Sequence, residues 1–369
     1  MLNNLKINIM KTLKFKSVLF LVLITFFTSS YVCAEEYEAV KNIKKEYQSN
    51  DQTLLEIANK YGNIKINDWD KNQIVIEVKI TVKAKNKGFA ESKLEFINVN
   101  FSEKENVIKA ITEIDDKINN STGIFSGKKI DFTINYFVSV PRNLKMNLYN
   151  KYGNIFINEI HGKTNITLKY GDLNANKLLF DNTKPLSKLT LSYGSASINE
   201  CNWLTSVLKY SSINIKEAKA IVLVTKYSKV EVEKCNTIVS ESKYDSYKIN
   251  DVANFTTEGK YTSYKIINLK NKLFVEQEYG GFKVEKISAS FETIQIDARY
   301  ADIKLGIEQG ASYQFDASAI YAGIDYPKEA NVDRHVSNSS ETVKGIIGTD
   351  SSTNSTVIIK SEYGEIDIE

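Results

Sequence analysis

The chain has 369 residues, 42% of them hydrophobic and 25% charged, which is an ordinary globular composition. Its 48 basic and 45 acidic residues nearly balance, which argues against nucleic acid or an anionic membrane as the main partner. The 21 tyrosines and only three prolines favour strands with unbroken hydrogen-bond ladders.

The first part of the sequence is typical of an export signal. Three lysines within residues 11–16 precede the apolar run Val18–Phe27, which is too short for a bilayer that needs ~20 apolar residues. Val32 and Ala34 then occupy the −3 and −1 positions of a signal-peptidase site, which predicts a signal peptide over residues 1–34 and cleavage between Ala34 and Glu35. We therefore expect an exported protein with no transmembrane segment after signal removal. An uncleaved membrane anchor is the alternative.

The next section is predicted to be a β cap. Residues 35–53 form an N-terminal segment, and residues 54–140 follow with the pattern of strands and one short helix. Apolar residues alternate from Ile74 to Val82, which predicts a long, half-buried strand. Gly88–Phe96 has helical spacing and is the predicted helix. We expect this region to cover one open edge of the repeats that follow.

Residues 141–325 repeat a short unit. KYSSINIKEAKAIVLVT is followed by KYSKVEVEKCNTIVSES and then by KYDSYKINDVANFTTEG. Fixed-period self-similarity of this kind indicates stacked repeats. The units are seventeen residues long from Tyr193 to Tyr261 and longer on both sides. Nine tyrosines mark the unit starts: Tyr152, Tyr170, Tyr193, Tyr210, Tyr227, Tyr244, Tyr261, Tyr279 and Tyr300. Tyr61 and Tyr363 begin isolated copies, NKYGNIKI and SEYGEIDI.

The columns of the repeat predict the fold class. The third and fifth positions after the tyrosine are apolar, as in Val230 and Val232, while the position between them is polar, as in Glu231. This is strand alternation with one buried face. Because one unit buries too little apolar surface to fold alone, we expect each strand to pair with the same strand of the next unit. The prediction is an all-β, right-handed parallel β-solenoid with repeats of about 17–21 residues and an N-terminal β cap containing one short helix.

The tyrosine column has two interpretations. It is a structural ladder in which stacked rings gain about 0.5–1.5 kcal/mol per pair, or it is an aromatic strip that stacks on sugar rings. The tyrosines share the parity of the apolar column behind them, which favours the ladder.

The end of the sequence is predicted to close the solenoid. Residues 326–355 are polar and are interpreted as a loop insertion, either functional or disordered. Residues 356–369 are predicted to add two strands, and their alternating acids would blunt an exposed edge.

No catalytic or metal-binding motif is recognisable, and we expect no cofactor and no metal. The two histidines, His161 and His335, lie far apart in the sequence and in phase. Cys201 and Cys235 share one column two repeats apart, a predicted separation of about 9–10 Å. Because a disulfide needs Cα atoms within about 7 Å, we predict no intramolecular disulfide between them.

The repeats resemble a known bacterial family. The sequences YGNIFI, YGDL and YGEIDI, together with the entry VSVPRNLKMNLYNKYGNI, are similar to the Asn-Gly-Asp-Ile-x-Val turns of the bacterial putative-adhesin β-strand-repeat family. The resemblance covers roughly residues 54–369. It implies a β-solenoid at or outside the cell envelope, sometimes tied to envelope-stress systems, and it brings no catalytic residues. The chain departs from the family pattern because tyrosine replaces the turn asparagine.

The predicted function is therefore that of an exported, non-enzymatic, adhesin-like or envelope-associated scaffold. It would bind an unknown protein or glycan through an exposed sheet face, in the periplasm, on the outer envelope surface or after secretion. Two alternatives stay open. The first is a carbohydrate-active enzyme, which requires acids and a cation within ~5–10 Å of one another. The second is a periplasmic accessory of an envelope-stress sensing system.

Overall fold

The structure is a computed structural model that describes residues 36–119, 131–181, 186–327 and 330–369. The predicted signal peptide and the Ala34–Glu35 cleavage site lie outside this part of the chain. The described residues form an all-β protein in which 23 strands belong to one hydrogen-bonded sheet system, and most of the strand pairs are parallel.

The N-terminal region combines antiparallel and parallel pairs. Its elements are β1 (Tyr37–Gln48), β2 (Leu54–Lys60), β3 (Ile64–Trp69), β4 (Gln73–Ala84), α1 (Lys87–Leu94), β5 (Ile97–Lys104), β6 (Val107–Ile114), a 3-10 helix (Asp116–Asn119) and β7 (Asp131–Pro141). Strand β4 pairs antiparallel with β1 on one side and β7 on the other. Helix α1 begins where the Asn86 side chain accepts a hydrogen bond from the Phe89 amide, 3.1 Å away. Among the described strands, β1 pairs with β4 alone and so forms an edge of this region.

The repeats supply the middle strands. These are β8 (Lys145–Lys151), β9 (Ile155–Ile160), β10 (Thr164–Lys169), β11 (Leu173–Leu178), β12 (Ser187–Ser192), β13 (Ser195–Lys209), β14 (Ser212–Lys226), β15 (Lys229–Lys243), β16 (Ser246–Ile287) and β17 (Thr293–Ile307). Strands β13, β14, β15 and β16 pair in parallel with a constant offset of seventeen residues, so that Ile213 lies beside Val230 and Val230 beside Tyr247. A column of the sequence repeat is therefore a column of neighbouring residues in the sheet.

The C-terminal region contains β18 (Tyr313–Ile320), β19 (Ile324–Asp325), β20 (Ala330–Val336), β21 (Ser340–Ile347), β22 (Thr356–Glu362) and β23 (Ile366–Ile368). The polar segment 326–355 differs from the loop that its composition suggests, because β20 and β21 form an antiparallel hairpin there and β21 also pairs with β18. Val343 and Ile347 on β21 are buried in the core, so the hairpin packs against it through these side chains.

At each end of the repeats, two strands are inserted in the sheet between strands that follow one another more closely in sequence. Strands β2 and β3 lie between β6 and β7 on one side and β8 and β9 on the other. In the same way, β22 lies between β17 and β18, and β23 lies between β17 and β19. The order in space therefore differs from the order in sequence at both ends of the repeats.

The interior is one continuous apolar core. The buried side chains at alternate strand positions belong to a single cluster that runs from Ala39 to Ile368. Isoleucine, valine and leucine dominate it, and their branched side chains suit the pleated surface. Its largest fully buried members include Tyr136, Tyr247 and Phe255. The opposite faces of the same strands are mainly polar, as the alternation predicts, although Phe137, Val224 and Phe274 are exposed there.

Candidate functional site

The most regular feature of the surface is a row of tyrosines at one corner of every repeat, which we call the tyrosine stack. Its members, in spatial order, are Tyr61, Tyr152, Tyr170, Tyr193, Tyr210, Tyr227, Tyr244, Tyr261, Tyr279, Tyr300, Tyr363 and Tyr321. The nine tyrosines expected from the sequence all lie in it, and Tyr61, Tyr321 and Tyr363 extend it.

Adjacent rings are nearly parallel. Their centroids are 4.7–5.1 Å apart and their planes differ by 1–15°. This separation is that of neighbouring parallel strands, so the sheet itself sets the ring spacing. Each inner ring has a tyrosine against both faces and presents its edge to solvent. At one end of the stack, Tyr61 makes a T-shaped contact with Phe132, with centroids 5.2 Å apart. At the other end, Tyr321 is 62% exposed.

The backbone at these tyrosines is unusual. Every tyrosine in the stack has φ between 52° and 61°, the left-handed region. This conformation costs an L-residue roughly 1–2 kcal/mol, and glycine or asparagine usually occupies it. The corner is held by hydrogen bonds between repeats, as where the Tyr152 amide donates to the carbonyl of Lys169 at 3.0 Å and the Tyr210 amide to that of Lys226 at 3.0 Å. Ring stacking on both faces offsets the backbone cost.

The residue after the tyrosine divides the corners into two kinds. A Cβ on Gly171 would lie 2.1 Å from the carbonyl oxygen of Gly153, so that corner requires glycine. After Tyr210, Tyr227, Tyr244 and Tyr261 the same position holds Ser211, Ser228, Asp245 and Thr262, which are buried. The first kind of corner brings the backbones of successive repeats close together, and the second fills the interior with polar groups.

Asp245 is the buried acid of this interior. Its carboxylate accepts hydrogen bonds from the Ser228 amide at 2.6 Å, the Thr225 hydroxyl at 2.6 Å and the Lys243 amide at 2.8 Å. Thr225 also contacts the hydroxyl of Tyr247 at 2.7 Å. Burial raises the pKa of Asp245, and these hydrogen bonds only partly oppose it.

A column of basic residues directly precedes the tyrosines, and we call it the lysine column. Its members are Lys60, Lys151, Lys169, Lys209, Lys226, Lys243, Lys260 and Arg299, with Ser192, Glu278, Glu362 and Ile320 at the four remaining positions. The ammonium groups of Lys151, Lys226 and Lys243 lie 4.6, 5.5 and 5.6 Å from the ring centroids of the following tyrosines. These are cation–π contacts. Lys260 pairs with Glu278 at 2.6 Å, which lowers the pKa of Glu278.

An acid column lies two residues before part of the lysine column. Glu241, Glu258, Glu276 and Asp297 line one groove of about 610 Å³, together with Lys243, Lys260 and Arg299. Glu241 lies directly beside Glu258 in the sheet, and Glu276 beside Asp297. The predictions from sequence do not include this column. Reading the third position before each tyrosine would have found it.

The remaining candidate residues do not converge. Cys201 and Cys235 are buried free thiols on either side of Ala218, and burial raises the pKa of each to about 12. His161 contacts Glu159 at 2.7 Å, whereas His335 lies on strand β20. Among the described residues, no group of three or more histidine, cysteine, aspartate or glutamate side chains is placed to hold a metal ion. In the same part of the chain, no helix is long and apolar enough to cross a membrane.

The fold and site define a class: an all-β repeat protein with mostly parallel pairing and an external tyrosine stack. Comparison with protein-family models and with curated proteins finds no match. Among solved structures, the chain is similar to a "putative cell adhesion protein" from Clostridium sporogenes, with 12% identity over 89% of this chain and 99% of that one, at a TM-score of 0.19. It is also similar to a "putative adhesin" from Parabacteroides distasonis (8% identity, 73% and 93% coverage, TM-score 0.32) and one from Parabacteroides merdae (10%, 72% and 96%, 0.31). These identities and TM-scores are too low to transfer a fold or a function.

Proposed function

We propose that the chain is an exported, non-enzymatic, adhesin-like scaffold that binds an extended partner, a protein or glycan of the cell envelope, through an exposed sheet face. The single observation that supports this most directly is the regularity of the tyrosine stack and the columns beside it. Outward side chains recur at every strand spacing, which gives a long, repetitive surface. Such a surface suits a partner that is itself linear and repetitive.

The proposed architecture is a right-handed β-solenoid over residues 141–325, covered by the β cap of residues 54–140 and closed by residues 356–369. The constant seventeen-residue parallel register supports it. The export signal over residues 1–34 and the resemblance of the repeats support a location in the periplasm, on the outer envelope surface or outside the cell. Fusion of residues 1–34 to a reporter enzyme that is active only after export tests the location.

The binding function is tested with the chain from residue 35 onward. The protein is applied to a glycan array and to purified envelope polymers, and retention is compared with that of a heat-unfolded sample. We expect retention of the folded protein on a linear polymer without any shortening of that polymer. Absence of binding to every envelope component would overturn the proposal.

A polysaccharide-cleaving enzyme is the second candidate, and the groove of the acid column favours it. There, acids and cations lie together, as glycoside chemistry requires. The test is the release of reducing ends or unsaturated products from acidic and neutral polysaccharides. Activity that is lost in Glu258→Gln and retained in Glu231→Gln, a half-buried acid of another column that pairs with Lys229, would replace the binding function with this one.

A further inference from the structure

One half of the lysine column has no opposing charge. In the described part of the chain, the side chains of Lys60, Lys151, Lys169, Lys209 and Lys226 form no ion pair. Other lysines are paired across repeats, as Lys265 is with Glu285 and Lys286 with Glu308. Lys60, Lys151 and Lys169 are direct neighbours in the sheet, as are Lys209 and Lys226, with Ser192 between the two groups. Like charges directly opposite one another in a sheet are destabilising, so an external anion would stabilise this arrangement.

The column two residues before the lysine column increases the difference in charge between the two ends of the repeats. Two residues before these lysines and Ser192 stand neutral side chains: Ala58, Tyr149, Thr167, Thr190, Val207 and Val224. Two residues before Lys243 and Lys260, by contrast, stand Glu241 and Glu258. These two columns are therefore cationic from Tyr61 to Tyr227 and contain more acids than bases from Glu241 to Arg299. The uncompensated part, which we call the basic strip, contains the five lysines and the hydroxyls of Tyr149, Thr167 and Thr190.

The tyrosine stack limits what the basic strip can bind. Single-stranded nucleic acid is held by bases that stack on open aromatic faces. Here the inner ring faces are covered by other tyrosines, with planes within 15° of parallel. Because these ring faces are covered, sugar rings cannot stack on them either. What remains is a row of cations and hydroxyl groups at the spacing of parallel strands, ~4.8 Å.

We propose that the basic strip binds a linear acidic polysaccharide that runs along the repeats. Its carboxylates lie on the lysine column, and its hydroxyls form hydrogen bonds with the phenol edges and with Thr167 and Thr190. The repulsion of Glu241 and Glu258 ends the footprint near Tyr227. This proposal rests on the proposed binding function and adds the ligand class and the face.

The test uses the chain from residue 35 onward and polygalacturonate oligomers, which have one carboxylate per sugar. Affinity is measured by calorimetry for wild type and for Lys151→Gln/Lys169→Gln/Lys209→Gln. The matched control, Lys265→Gln/Lys283→Gln/Lys286→Gln, removes the same charge from lysines that are already paired. We expect roughly 10- to 100-fold weaker binding by the first variant and a shallower salt dependence, with less than about a threefold change in the control.

Three further measurements decide the outcome. Equal melting temperatures of the two variants would exclude a folding defect as the cause of lost affinity. Equal loss of affinity in both, or tighter binding of polyphosphate or single-stranded DNA than of polygalacturonate, would overturn the proposal. Retention on an envelope polymer that neither variant alters would also overturn it, while leaving the proposed binding function intact.

Discussion

The ring of Tyr300 stacks on that of Tyr363, 4.8 Å away and within 3° of parallel, although Tyr321 is far closer in sequence. Tyr321 in turn stacks on the other face of Tyr363, at 5.0 Å. The cause is the position of β22, which lies between β17 and β18 and pairs in parallel with both. The tyrosine stack thus reports the spatial order of the strands and not their order in sequence.

Substitution of Ile359 by alanine should strongly destabilise the protein. Ile359 is fully buried on β22, with Ile296 on one neighbouring strand and Ala317 on the other. We expect a loss of about 2–5 kcal/mol in the free energy of unfolding, measured by urea denaturation. The control is Val332→Ala on the outer hairpin strand β20, where we expect about 1 kcal/mol or less. Similar losses for both variants would contradict the placement of β22.

Substitutions of single tyrosines should distinguish the stabilisation that comes from ring stacking from the free-energy cost of the left-handed backbone. Tyr227 has two stacked neighbours and Tyr321 has one. Tyr227→Ala should therefore lose about 1–3 kcal/mol of stacking, and Tyr321→Ala about half as much. Tyr227→Gly should be less destabilising than Tyr227→Ala by roughly 1 kcal/mol, since glycine adopts the left-handed conformation readily. Denaturation curves that rank glycine below alanine would argue against strain at the corner.

The buried carboxyl of Asp245 should make stability depend on pH. Because burial raises its pKa in the folded state, the folded protein holds a proton that the unfolded chain releases near pH ~3.9. Its contribution to stability is thus full below that pH and declines as the pH rises through the raised pKa. Relative to wild type, Asp245→Asn should gain stability as the pH rises above about 4.

Glu285→Gln serves as the control of opposite sign. The pKa of Glu285 is lowered chiefly by its hydrogen bond to Lys265. Its contribution to stability is present at neutral pH and disappears as the pH falls. The stability of the variant relative to wild type should therefore decrease as the pH rises from acidic values. Thermal unfolding of all three proteins between pH 3 and 8 measures both trends, and parallel curves would refute the assignment for Asp245.

The two thiols should be inert in the folded protein. Cys201 and Cys235 are 2% and 3% exposed, and their raised pKa leaves almost no thiolate at neutral pH. A thiol reagent should label both cysteines in denaturant and neither in buffer. Lys216→Cys adds an exposed thiol on β14, which should react at once and so verify the reagent. Rapid native labelling of Cys235 would show that the repeats open locally.

Sequence reasoning recovered the parallel register well where the period is constant. In β13 to β16 the alignment column and the sheet column coincide, because Val230 has the same neighbours in both. The sequence does not predict the positions of Tyr61, Tyr321 and Tyr363 in the stack, since their spatial neighbours come from strands separated by long stretches of sequence. Parallel pairing over such separations leaves no periodic trace.

The composition of the site was harder to predict than its position. Tyrosine is not a residue that signals a left-handed backbone, so the conformation shared by all stack members had no local indicator. The acid column follows the repeat, but the sequence does not show that its members share one groove. Glu241 and Asp297 are far apart in sequence and become part of one groove only when the repeats stack. The polar hairpin β20–β21 shows that low hydrophobicity does not exclude strands when a neighbour such as β18 is available for pairing.

The constant register has a consequence for the evolution of this surface. Between Tyr193 and Tyr261, each seventeen-residue unit pairs with the following unit in the same parallel register as with the preceding one. Excision or duplication of one whole unit, by an in-frame recombination event, would therefore rejoin matching edges and leave the row of rings unbroken. The stack of units can thus grow or shrink in steps of one strand spacing, ~4.8 Å, while the fold of each unit and its pairing stay the same.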